Sequence, residues 1–396
     1  MTSSEFVAAN RALVGFAGAM LNPVYAADDS GVVVVNAPVF MANGRGFEVA
    51  GGKGLGADQS FASCIGEGIE RHFLTGVWQA KSTRASFEQI TTSALDPKAL
   101  GYPLRVNPPG QVPYTPQLPI EWVNGDCLTT GTHVSLPANL VFAPYTPAVG
   151  SGRFSMSSTN GAACGATLED ATVQSLLELV ERDAFWFYSR TISQPSNIPV
   201  ASIPREVQLL MRSFNGKFRI QELRNPFNIP VVQVTYESNL REGSRTARGT
   251  GATMTLESSI RRAFSECIQM YESLSTGLEV SPSPMDMRSI WYTGEVKEIF
   301  PEFFSESGRV EDSCYPKFSS NEALLQHLLE SISAQSMHPY RHVLVETSTI
   351  SVVKCLLPEV SVVDSSYFKT SSRFESFAQW AGTDLVHRDY SGSLFM

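Results

Sequence analysis

The sequence lacks the patterns of several common protein classes. Its six cysteines are far apart and form no C-x-x-C pair, which argues against a disulfide framework or a cysteine zinc site and is typical of a reducing compartment. No apolar run approaches the ~18 residues of a membrane-spanning helix. Lys and Arg number 30 against 39 Asp and Glu, and the net charge of −9 argues against nucleic acid or an anionic membrane as partner. We therefore expect a cytoplasmic globular protein.

Several familiar site motifs are missing as well. There is no G-x-x-x-x-G-K-[ST] loop, so the chain is not a P-loop enzyme, and residues 52–56 lack the G-x-G-x-x-G spacing of a dinucleotide fold. No G-x-S-x-G elbow occurs, and the six histidines form no H-x-x-x-H pair. The apolar segment 12–21 resembles a signal peptide only in part, since Glu5 lies where positive charge belongs. We expect it to be a buried N-terminal element.

Strand-like and helical segments alternate along the chain, and no change in composition marks a second domain. Seven prolines in residues 97–119 predict a long surface loop. The fold class is therefore predicted to be α/β or α+β, with one large domain over residues 1–396. Helices are predicted at 61–79, 167–189, 257–274 and 321–333; strands at 31–35, 38–41 and 230–236 and within 342–357; and a hairpin at 121–145.

A repeated pair of acidic residues is the most informative pattern. E-x-x-E-R occurs at residues 67–71 and 178–182, and E-x-x-Q follows at 266–269. Positions i and i+3 lie on one helix face, so each E-x-x-E presents two carboxylates together. Each motif follows a glycine-rich stretch, interpreted as a turn at a helix start. These stretches are 51–56, 160–165 and 249–251.

The chemistry of this pattern points to a cation and a phosphate. Two such helices facing each other bring four carboxylates into one pocket, which only cations make stable. All-oxygen ligation suits Mg²⁺. Glycine turns at helix starts offer N–H groups to phosphate oxygens, and Lys53 adds a positive charge. A single E-x-x-E-R is usually a solvated helix face, but two copies and a third variant favour a site.

These motifs resemble the signatures of the YcaO family. The resemblance extends from about residue 33 to about residue 363, in family order. Its departures are the absence of a proline-rich C-terminal tail and the presence of Lys354 and Glu359 where the family usually has Arg and Gly. The matching segments are 52–71, 122–138, 159–183, 249–269 and 351–358.

The resemblance implies an ATP-binding YcaO-type domain with mixed sheets, no P-loop, and helices that carry paired glutamates. ATP and Mg²⁺ are the implied cofactors, and no residue is assigned as a catalytic acid or base. The matches to metal ligands are Glu67, Glu70, Glu178 and Glu181. The matches to residues that bind or frame the nucleotide are Lys53, Ser63, Arg71, Asn160, Arg182, Glu266 and Gln269.

The activity that the resemblance implies is ATP-dependent phosphorylation of a peptide amide oxygen. We expect a cyclodehydratase that forms thiazoline or oxazoline rings from Cys, Ser or Thr of a ribosomally made precursor peptide, as in bacteriocin and microcin biosynthesis. The alternatives are a thioamide- or amidine-forming enzyme and a non-catalytic scaffold. The expected partners are the precursor peptide, a separate leader-peptide recognition (E1-like) subunit and a flavin dehydrogenase. We expect an oligomer or a hetero-complex, with neither nucleic acid nor membrane as a partner.

Overall fold

The computed structural model describes most of the chain between residues 32 and 388. The described ranges are 32–40, 47–75, 81–90, 93–100, 112–155, 157–240, 243–276, 287–305, 314–358, 360 and 372–388. The apolar segment 12–21, residues 101–111 of the loop predicted at 97–119, and Glu359 lie outside them. Residues 97–100 of that loop form a 3₁₀ turn.

The described strands form three antiparallel sheets, so the fold is α+β. β1 pairs with β2 alone; the second sheet has the order β10-β9-β8-β7; the third has the order β3-β4-β11-β12-β6, with β5 beside β4. The strands are β1 Val33–Phe40, β2 Phe47–Gly54, β3 Thr83–Ala85, β4 Ile120–Cys127, β5 His133–Pro137, β6 Ala162–Gly165, β7 Ser196–Asn197, β8 Gly216–Glu222, β9 Val231–Ser238, β10 Thr246–Ala252, β11 Tyr340–Glu346 and β12 Ser351–Leu356.

The four predicted helices are confirmed, as are the β9 strand and the β4–β5 hairpin. Within the predicted hairpin, however, the last segment is the short helix α2 rather than a strand. The α-helices of the described ranges are α1 Ala57–Leu74, α2 Ala138–Val141, α3 Leu168–Arg190, α4 Arg205–Met211, α5 Leu256–Thr276, α6 Met287–Thr293, α7 Val296–Ile299, α8 Asn321–Ala334 and α9 Ser372–Ala381. None of them is both long and apolar enough to cross a bilayer.

Helix α3 is the centre of the core. The hydroxyl of Thr167 accepts a hydrogen bond from the N–H of Asp170 (3.0 Å) and so caps its first turn. Leu176 and Val180 are fully buried in the largest apolar cluster, as the helical periodicity predicts. The helix packs against β6 and β12 of one sheet and β10 of another. Side chains on α3 can therefore meet residues from both sheets.

The glycines before α1 and α5 play a different part from the one expected. Residues 51–54 and 249–251 lie in strands β2 and β10, so the prediction of turns there is wrong. A Cβ on Gly52 would lie 1.9 Å from the carbonyl oxygen of Ser60, and one on Gly249 would lie 2.2 Å from that of Ala263. These glycines let α1 and α5 pack directly on the strands that precede them. Only residues 160–161 form a turn, with Gly161 at φ 78°.

Candidate functional site

Glutamates of α1 and α3 lie close enough to act on each other. Burial raises the pKa of Glu70 well above its ordinary value, and the nearby carboxylates of Glu178 and Glu67 raise it further. Arg71 and Lys354 oppose the shift without cancelling it. Glu67 itself pairs with Arg71 at 3.2 Å. The two E-x-x-E-R helices therefore face each other, as the sequence predicts.

The two glutamates of α3 have different surroundings. Oε2 of Glu178 accepts the N–H of Gly161 (3.0 Å), Oε1 lies 3.4 Å from Arg182, and a fifth of the side chain is exposed. Glu181 is sealed, with its side chain 3% exposed. Its Oε1 accepts the hydroxyl of Thr250 (2.6 Å), and its Oε2 accepts the N–H of Ala252 (3.0 Å). Glu178 is thus the more accessible of the two carboxylates.

On α5, Glu266 joins a third element to the cluster. Its Oε2 lies 3.0 Å from Nζ of Lys53 on β2, and its Oε1 accepts the N–H of Thr250 (3.3 Å). Burial alone would raise the pKa of Glu266, but Lys53 and Arg182 outweigh that effect and lower it to about 2. Glu266 is therefore an anion that orients Lys53.

Three largely buried cations on α3, β10 and β12 oppose these carboxylates, and 17% of the Arg182 side chain is exposed. Burial opposes the charge of Arg182, but Glu181, Glu178 and Glu266 outweigh it and raise its pKa. Burial lowers the pKa of Arg248 to about 10, and its guanidinium lies 3.9 Å from the ring centroid of Phe185.

Lys354 is the third buried cation, and it holds the turn that precedes β6. Its Nζ donates to the carbonyl oxygens of Ser158 (2.7 Å) and Asn160. Burial lowers its pKa to about 8, against the attraction of Glu178 and Glu70. In the described part of the chain, cations of several elements thus meet the carboxylates of this cluster, and the charge of Arg262 on α5 also acts on Glu266. The carboxylates are Glu67, Glu70, Glu178, Glu181 and Glu266, and the cations are Lys53, Arg71, Arg182, Arg248 and Lys354.

The structure brings eight of the eleven predicted residues into this cluster: Lys53, Glu67, Glu70, Arg71, Glu178, Glu181, Arg182 and Glu266. Asn160 lies next to it and contributes its backbone carbonyl to Lys354. Ser63 is exposed on α1, and Gln269 is half-buried on α5. Arg248 and Thr250 also belong to the cluster and were not predicted from the sequence. A charged residue within a strand otherwise composed of small residues was the available signal for Arg248.

The donor set fits Mg²⁺ that arrives together with a phosphate. No group of three or more His, Cys, Asp or Glu side chains in the described ranges is placed to hold a metal by itself. Mg²⁺ seldom uses an all-protein cage and is usually bound by one or two carboxylates, phosphate oxygens and waters. Glu70 and Glu178 form such a pair, because a cation between them would offset the repulsion that raises the pKa of Glu70.

Comparison with known proteins agrees with this chemistry. The model of the family described as YcaO cyclodehydratase, ATP- and Mg²⁺-binding, matches residues 51–361. The match covers well over half of the chain, and the protein therefore belongs to the YcaO family. The predicted family, fold class and cofactors are confirmed by it.

Solved structures share the fold. A heterocyclase in complex with substrate and cofactor has a TM-score of 0.83 and 20% identity, over 99% of this chain and 57% of that one. YcaO from Methanopyrus kandleri, bound with AMPPCP and Mg²⁺, has a TM-score of 0.71 and 22% identity, over 94% of each chain. A chain of the E. coli microcin synthetase McbBCD complex has a TM-score of 0.62 and 16% identity, over 86% of this chain and 87% of that one.

A sequence relative is an uncharacterised protein of Methanothermobacter thermautotrophicus. It is 27% identical over 247 residues, which are 61% of this chain and 62% of that protein. The chain therefore spans less than two thirds of this relative and of the first heterocyclase.

Proposed function

We propose that this chain is a cytoplasmic ATP- and Mg²⁺-dependent cyclodehydratase that activates backbone amides of a ribosomally made precursor peptide. Cyclisation of Cys, Ser or Thr side chains onto the activated amide would give thiazoline or oxazoline rings. The observation that carries the proposal is the Glu70–Glu178 pair, set among carboxylates of three helices and cations that contact them from helices and strands. A solvated helix face does not need such a cluster, and neither does an inert scaffold.

The proposed roles of the side chains follow from their charge and contacts. ATP with Mg²⁺, when bound, supplies the phosphoryl group that turns the amide oxygen into a good leaving group. Glu70 and Glu178 would hold the cation. Lys53, oriented by Glu266 at 3.0 Å, and Arg182 present positive charge to phosphate oxygens. The hydrogen bonds at both oxygens of Glu181 keep its carboxylate fixed as the site fills.

The proposed partners follow from the relatives. The heterocyclase neighbour is described in complex with its substrate, and the microcin synthetase neighbour is a complex that has also been solved with pro-MccB17 bound. We extend this to the present chain as a catalytic subunit that works with a separate leader-recognition protein. Binding energy from the leader then positions the reacting amide.

Reconstitution tests the proposal. The chain is combined with ATP, Mg²⁺, a Cys/Ser/Thr-rich candidate precursor peptide and a candidate leader-recognition protein, both chosen from genes adjacent to its own, and phosphate release and peptide mass are measured. A product lighter by one water per phosphate, with its thiols or hydroxyls consumed, supports the proposal. Glu178→Gln is the inactive control.

Other products separate the alternatives. Loss of water with a backbone amine consumed indicates an amidine, and replacement of oxygen by sulfur indicates a thioamide; either result overturns the azoline assignment and keeps the ATP chemistry. No phosphate release, with peptide and recognition protein both bound, overturns the enzyme proposal in favour of the scaffold.

A further inference from the structure

Strand β10 lies between α3 and α5 and presents different residues to each. Gly249 and Gly251 face α5, where a Cβ on either would come within 2.8 Å of a helix backbone oxygen. Thr250, between them, faces α3 and is fully buried. β10 is also the edge strand of its sheet. Backbone N–H groups on its outer side are therefore free to bind side chains rather than a neighbouring strand.

Thr250 uses both its hydroxyl and its N–H on carboxylates of the site. Its Oγ1 lies 2.6 Å from Oε1 of Glu181 and 3.4 Å from Oε1 of Glu266. A hydroxyl has one proton to donate, and the shorter distance assigns it to Glu181. The backbone N–H donates to Oε1 of Glu266 at 3.3 Å. One residue thus joins carboxylates that belong to two different helices.

Loss of the hydroxyl would change more than one hydrogen bond. The side chain of Glu181 is 3% exposed, so water has little access to replace the lost donor at Oε1. Two cations act on Glu181: Arg248 of β10, and Arg182, whose Nη1 lies 3.5 Å from Glu181 and whose Nη2 lies 3.4 Å from Glu178. A closer Glu181–Arg182 contact would draw the guanidinium away from Glu178. Glu178 belongs to the pair expected to receive the cation.

From this geometry we infer that Thr250 is a positioning residue: it fixes Glu181 and Glu266 relative to each other and thereby keeps Arg182 and Glu178 in place for Mg²⁺ and the nucleotide. The inference rests on the proposed function. It assigns Thr250 no contact with the nucleotide or with the reacting amide.

Isosteric replacements on one sheet face provide the test. Thr250→Val removes the hydroxyl and keeps both the shape and the backbone N–H, whereas Thr250→Ser keeps the hydroxyl. Thr235 is the matched control, because it is equally buried on the neighbouring strand β9 and its hydroxyl donates to the carbonyl of Phe303 (3.0 Å) instead of to a carboxylate. Thr235 pairs across the strands with Arg248, but its hydroxyl binds no carboxylate, so Thr235→Val should destabilise the fold without moving Glu181 or Glu266.

The measurement is the calorimetric affinity of the full chain for AMPPCP at several Mg²⁺ concentrations, with no peptide and no turnover. We expect Thr250→Val to weaken the Mg²⁺-dependent affinity about tenfold or more, as the loss of a hydrogen bond to a charged group implies. The affinity of Thr250→Ser for AMPPCP should remain within about threefold of the wild-type affinity, and so should that of Thr235→Val. The melting temperatures of the nucleotide-free variants measure how much each substitution changes the stability of the fold. The loss of affinity caused by Thr250→Val should be smaller in a Glu181→Gln background than in the wild-type background. Any effect of Thr235→Val on affinity should be the same in both backgrounds.

Wild-type affinity in Thr250→Val would overturn the inference, as would an equal loss of affinity in Thr235→Val. A wild-type chain that binds AMPPCP with Mg²⁺ but modifies no peptide overturns the proposed peptide chemistry and leaves the role of Thr250 standing. A wild-type chain that binds no nucleotide overturns both.

Discussion

Replacement of Arg373 by methionine tests how α9 is held against α3. The guanidinium of Arg373 binds both oxygens of Asp183, one residue beyond Arg182, with Nη2–Oδ2 at 2.6 Å and Nε–Oδ1 at 3.0 Å. The two side chains are 3% and 2% exposed. Methionine keeps much of the apolar length of the side chain and removes its charge. The buried carboxylate of Asp183 then loses its counter-ion.

The expected loss of unfolding free energy depends on the burial of the ion pair rather than on the distance between its charged atoms. An uncompensated buried charge costs about 3–5 kcal/mol of unfolding free energy. Arg261 and Glu206 also meet at 2.6 Å, but their side chains are 37% and 46% exposed. Loss of such an exposed pair costs less than about 1 kcal/mol. Arg261→Met is therefore the matched control, and Arg373→Met should cost several times more.

Urea denaturation measures both variants, with the free energy extrapolated to water and the slopes compared. The double variant Asp183→Leu/Arg373→Met should recover most of the loss, because no buried charge remains unpaired. Equal stability of Arg373→Met and Arg261→Met would refute the reasoning. So would a double variant no more stable than Arg373→Met.

Three further predictions concern the site and its surroundings. Glu178→Gln should abolish ATP turnover, because it removes one of the two carboxylates proposed to hold the cation, while the melting temperature without nucleotide stays unchanged or rises slightly; wild-type turnover would contradict the proposed metal ligands. The folded pKa of Glu70 is raised, so its contribution to stability is full below its unfolded pKa of about 4.3 and is lost as pH rises through the folded value. Glu70→Gln should therefore gain stability relative to wild type as pH increases in thermal melts without nucleotide, and a constant difference would contradict the assignment. Gln233, paired with Thr250 across the strands, is fully buried, and its amide nitrogen and oxygen have no hydrogen-bond partner in the part of the chain described. Gln233→Met should thus raise the unfolding free energy by about 1–2 kcal/mol in urea melts, and a decrease would mean that the amide is satisfied in solution.

The family, the main helices and most of the cluster residues could be predicted from the amino-acid sequence. Helix α3 was predicted at 167–189 and is observed at Leu168–Arg190, because a threonine cap and apolar residues at helical spacing are local information. The E-x-x-E-R motif is local as well, since i and i+3 share a face of any helix. The repetition of the motif made it recognisable as a site.

The contacts between these helices, strands and side chains could be seen only in the folded chain. Lys53 pairs with Glu266, Thr250 joins α3 to α5, and Lys354 holds the turn before β6; each contact links segments far apart in the chain. The role of the glycines in β2 and β10 also depends on the tertiary structure. The space that a Cβ would occupy at these positions is filled by a helix packed on the strand. Contacts of this kind depend on which elements fold against each other, and local periodicity does not contain that information.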